Sequence, residues 1–102
     1  RAAADYLRGM GASGLGVEAA ARTAAVLSTG AEGAIPLKEG YAAAMAAQNT
    51  SYACVEKNIR SMVGKLQAGA CGEYQALMGG LPAERPSNEL FLRRLARRIL
   101  EW

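Results

Sequence analysis

From Tyr41 onward, one set of side chains recurs in steps of three and four: Tyr41, Met45, Gln48, Tyr52, Val55, Ile59, Met62, Leu66, Ala70, Tyr74, Leu77 and Leu81. That spacing marks one face of a helix, with a stutter-like shift after Met62 where three steps of four follow one another. It predicts a single long helix over about Leu37 to Met78, on the order of 60 Å at 1.5 Å per residue. Gly64, Gly69 and Gly72 weaken its second half, so a kink near Gly69–Gly72, or a second short helix from Ala70, is expected. Asn49-Thr50-Ser51 is a weaker break point, because all three side chains compete for local backbone hydrogen bonds. Gly79-Gly80 ends the element, and Pro82 and Pro86 predict an extended connector.

The flanks are simpler. Residues 1–8 predict two frayed helical turns, and Gly9 to Gly16, with glycine at every second or third position, predicts a flexible loop. Val17 to Thr29 reads as an Ala-rich helix stopped by Gly30, and Pro36 suits the start of the next helix. Ser87 is the N-cap of a last helix, with Glu89 in its first turn. On that helix Phe91, Leu92, Leu95, Ala96, Ile99 and Trp102 share an arc of about 140°, and Arg93, Arg94, Arg97 and Arg98 lie opposite. The expectation is an all-α, somewhat elongated single unit of residues 1–102. It divides into an N-terminal segment and helix (1–36), a central helix (37–80), a connector (81–86) and a cationic amphipathic helix (87–102).

Composition changes the picture in one respect. Hydrophobic residues make up 51% of the chain, but 22 of its 102 residues are Ala and 12 are Gly. A short chain buries only about 60–65% of its unfolded surface even with bulky side chains. Small side chains imply either helices packed backbone-close or a partner that supplies the missing apolar surface. The stripe is longer than a fold of this length can cover, which points to the partner. Tyr52 and Ile59 on the stripe, with Phe91, Leu95, Ile99 and Trp102 on the last helix, are the expected docking residues.

Several chemistries are disfavoured. There is no His, so Ser–His and Cys–His nucleophile pairs and His-ligated zinc are absent. Cys54 and Cys71 are too few for a metal site of their own and would lie about 26 Å apart on a straight helix, beyond disulfide reach. Both are expected to be free, small and buried. Gly9-Met10-Gly11-Ala12-Ser13-Gly14 has the glycine spacing of a dinucleotide loop, but no strand pattern precedes it. The Asn49-Thr50-Ser51 sequon sits in a helical pattern, a poor acceptor site. The carboxylates are spread evenly, and Glu56–Arg60 and Arg85–Glu89 are spaced as surface ion pairs. No catalytic residue, metal or cofactor is expected, and pigment or lipid contact is left open.

The net charge of +3 is concentrated on the last helix, where Arg93, Arg94, Arg97 and Arg98 can hold carboxylates, phosphates or lipid headgroups. Nucleic acid is disfavoured, because the aromatics lie on the apolar side and no groove-reading motif is present. No run is long and apolar enough to span a membrane. The sequence therefore reads as a non-catalytic accessory or linker subunit wedged between larger protein subunits. The alternative is a free-standing module that binds nucleic acid or an anionic membrane through the Arg face. The chain begins at Arg1. If that follows removal of a transit peptide, a membrane-associated photosynthetic or respiratory complex in a plastid or mitochondrion is the setting; otherwise the cytoplasm.

Overall fold

In the computed structural model, which describes residues 2–102, the chain is all-helical. Among the described residues it forms six helices and no strand: α1 (Ala3–Gly9), α2 (Leu15–Leu27), α3 (Leu37–Gln48), α4 (Tyr52–Gly69), α5 (Gly72–Met78) and α6 (Asn88–Leu100). The single long central helix does not exist; α3, α4 and α5 replace it. The first break is at Asn49, which ends α3 in the left-handed conformation at φ 50°, a role Asn tolerates well. Ser51 then caps α4 by accepting a hydrogen bond from the Cys54 amide at 3.2 Å. The second break falls on Ala70, also left-handed at φ 50°, and not on either neighbouring glycine. The Cys71 sulfur caps α5 by accepting from the Tyr74 amide at 3.5 Å.

These two reversals fold the stripe onto itself. Tyr41, Val55, Ile59, Met62, Leu66, Tyr74 and Leu77 are all buried in one core with Val17, Leu27, Phe91, Leu92 and Leu95. The principal extents are 32 × 27 × 24 Å with a radius of gyration of 12.3 Å, close to the ~13 Å of an ordinary domain of this length. The elongated shape expected from the stripe is thus corrected.

The helix α2 is the hub, packing against α1, α3, α4 and α6. Small residues bring it close to its neighbours. Ala19, Ala20 and Ala24 are fully buried. A Cβ added to Gly16 would sit 2.5 Å from the Asn58 carbonyl oxygen of α4, and one added to Gly40 would sit 2.7 Å from Thr23 Cγ2 and 3.0 Å from the Thr23 carbonyl oxygen. The buried Thr23 hydroxyl donates to the Gly40 carbonyl across the same crossing, at 3.3 Å. The core is therefore built from close backbone approach. The accessible surface, 5325 Å², matches the roughly 5,500 Å² of a folded monomer of this mass.

The connectors are fastened. In the Gly-rich segment after α1, Met10 and Ala12 are buried, and the Ala12 amide bonds the Leu7 carbonyl at 3.1 Å. In the 81–86 connector, Gln67 Nε2 donates to the Pro82 carbonyl at 2.6 Å while its Oε1 accepts from the Tyr74 hydroxyl at 2.6 Å. That holds α6 back against α2, α4 and α5, so the connector expected from Pro82 and Pro86 does not lead α6 away from the core.

Candidate anion-binding cleft

Ser87 starts α6 as expected, its hydroxyl oxygen accepting from the Leu90 amide at 3.1 Å. The apolar arc of α6 then turns inward. Phe91, Leu92 and Leu95 are fully buried in this chain's own core, and so is Ile59 on α4. Phe91, Leu95 and Ile59 are core residues and leave no surface for a partner, which corrects their assignment to docking. Ile99 is partly buried against the same core. Trp102 is 40% exposed and meets the Tyr6 ring edge-to-face at 5.2 Å, closing the C-terminus over α1. Tyr52, 50% exposed, makes a similar contact with Tyr41 at 5.1 Å. Of the six expected docking residues, only Tyr52, Trp102 and part of Ile99 remain at the surface.

The four arginines divide. Arg93 is tied inward, donating to the Ile35 carbonyl at 2.9 Å and to Glu89 at 3.1 Å. It anchors the connection between α2 and α3, and it takes Glu89 away from the expected pairing with Arg85. Arg94, Arg97 and Arg98 instead line a cleft of about 210 Å³ between α5 and α6, walled by Ala76 and Leu77 and rimmed by Glu101. Arg98 pairs with Glu101 at 3.1 Å and reaches the Ala76 carbonyl at 3.4 Å. The Arg94 guanidinium lies beside Gly79, the left-handed residue that ends α5. Both therefore sit at the helix end where backbone carbonyls carry partial negative charge. Arg94 and Arg97 make no ion pair among the described residues. The cleft holds three guanidinium groups against one carboxylate. The sequence identified the arginines but not the opposing wall, because nothing local says that α5 folds back beside α6.

Other expected chemistry resolves plainly. Glu56 and Arg60 form their ion pair at 2.7 Å. Both cysteines are free, but Cys54 is exposed, not buried; hydrogen bonding with Ser51, then Thr50, holds its thiol below the usual range. Among the described residues no cluster of three His, Cys, Asp or Glu side chains could hold a metal, and no helix is long and apolar enough to cross a membrane. Comparisons with protein-family models, curated proteins and solved structures find no match to this chain.

Proposed function

We propose that this chain is a non-catalytic, self-folding helical module that joins a larger protein by holding an acidic segment of it in the cleft between α5 and α6. The supporting observation is the pair of unneutralised guanidinium groups, Arg94 and Arg97, on a helix whose Phe91, Leu92 and Leu95 are already consumed by its own core. Such a face offers charge and little hydrophobic surface, which favours a carboxylate-bearing partner held by guanidinium forks. Insertion of α6 into a lipid surface is disfavoured for the same reason, since Phe91, Leu92 and Leu95 are not available to lipid. The reading keeps the accessory role expected from sequence and drops the need for a partner to complete the core.

The test is titration of the chain with a synthetic poly-glutamate peptide, in parallel with a DNA oligonucleotide and with phosphatidylserine vesicles, at low and physiological salt. The peptide is expected to bind best, and Arg94→Gln with Arg97→Gln to weaken it about tenfold or more while flattening its salt dependence. Peptide binding that is absent, or indifferent to the double substitution, overturns the reading. Tighter binding to the oligonucleotide or the vesicles transfers it to the other anion.

A further inference from the structure

A second cleft, of about 400 Å³, opens where α3, α4 and the entry to α6 meet. Its floor is apolar and aromatic, made by Leu37, buried Tyr41 and half-exposed Tyr52. Its rim carries both signs of charge: the Glu56–Arg60 pair, and Arg85, which forms no ion pair among the described residues. Asn88 lines the cleft beside them. Its Nδ2 donates to the Tyr41 hydroxyl oxygen and to the Glu56 carbonyl, both at 3.0 Å, which fixes the amide's orientation. Its Oδ1 is enclosed and accepts no hydrogen bond. Burial raises the Tyr41 phenol above its ordinary range, so it stays neutral and keeps a proton to share.

A lone anion would meet Glu56 here, and a lone cation would meet two arginines. We propose that this cleft binds a small zwitterion of the α-amino-acid class with an apolar or aromatic side chain. Its carboxylate lies against Arg85 and Arg60, matching the guanidinium fork. Its ammonium lies against the Glu56 carboxylate, and its side chain rests on the half-exposed ring of Tyr52, whose aromatic face also favours a nearby cation.

The probe is L-phenylalanine, titrated into the full chain and followed by backbone amide chemical shifts. Saturable shifts centred on Tyr52, Glu56 and Asn88 are expected at about millimolar ligand. N-acetyl-L-phenylalanine, which lacks the ammonium, and L-phenylalaninamide, which lacks the carboxylate, should each bind about fivefold more weakly or worse, since each loses one charged contact. Arg85→Gln, at an exposed position, should weaken L-phenylalanine similarly and leave the helical circular dichroism unchanged. The Arg94→Gln, Arg97→Gln variant should bind it normally, which separates this site from the cationic cleft. No saturable shift, equal binding of a capped analogue, or indifference to Arg85→Gln overturns the proposal.

Discussion

Among the glycines, Gly16 and Gly40 leave the least room for a side chain, each placing helix backbone where even a methyl group would collide with a neighbour. Gly64, in the interior of α4, differs: an added Cβ would meet only Arg85 Cδ, at an ordinary 3.5 Å. Three identical substitutions should therefore separate in sign. Gly16→Ala and Gly40→Ala are expected to destabilise by about 1–3 kcal/mol through overpacking against backbone. Gly64→Ala is expected to stabilise by up to about 1 kcal/mol from helix propensity alone. Urea unfolding of the three variants checks this, and a stabilised Gly40→Ala would mean that α2 and α3 are not in close contact. The abundance of Ala and Gly was legible as a choice between close packing and a missing partner. Which glycines make the crossings was not: Gly16 reads as the end of a flexible loop although it lies inside α2, and Gly40 and Gly64 look alike in a helical pattern until α2 is set beside α3 and α4.

At the scale of elements, seven of the twelve stripe positions are core, while Tyr52 and Leu81 are about half exposed, and the connectivity differs from the single helix expected. Tyr41, Val55, Ile59, Met62, Leu66, Tyr74 and Leu77 are buried as the stripe implies. The interruptions, between Gln48 and Tyr52 and between Gly69 and Gly72, are only three and two residues long. A break of that length leaves the spacing of apolar positions in step, so periodicity alone passes over it. The first break carried a signal in the Asn-Thr-Ser run. The second carried one in Gly69 and Gly72, which flank the break and the start of the short helix α5, although the left-handed residue between them is Ala70 and not a glycine. Two stripe residues now make opposite predictions. Ile59→Ala empties a fully buried site and should cost about 2–5 kcal/mol. Tyr52→Ala removes a half-exposed ring whose contact with Tyr41 is edge-to-face, so it should cost about 1 kcal/mol. Thermal unfolding of both variants measures the difference, and a comparable loss at the two positions would contradict the placement of Tyr52 at the surface.

For the whole molecule, amphipathicity says that a face will be buried but not against what, and this is where α6 was misjudged. The cap at Ser87 and the opposition of apolar and arginine faces were readable from residues 87–102. The destination was not, because it depends on Gln67 holding the connector at Pro82 and on Arg93 reaching the Ile35 carbonyl, contacts made over 15 and 58 positions of sequence. Once folded back, α6 supplies Phe91, Leu92 and Leu95 to the core and closes it over α2, α4 and α5. The full chain should therefore be monomeric in sedimentation and unfold in one cooperative transition, with a urea dependence of about 1 kcal/mol per molar, the low end for small domains. Removing residues 87–102 should abolish that transition and not merely a partner interaction, since three buried large side chains at about 1.5–3 kcal/mol each amount to most of a small domain's stability. A truncated chain that still unfolds cooperatively, or a full chain that folds only when mixed with another protein, would return the apolar face of α6 to the docking role expected from sequence.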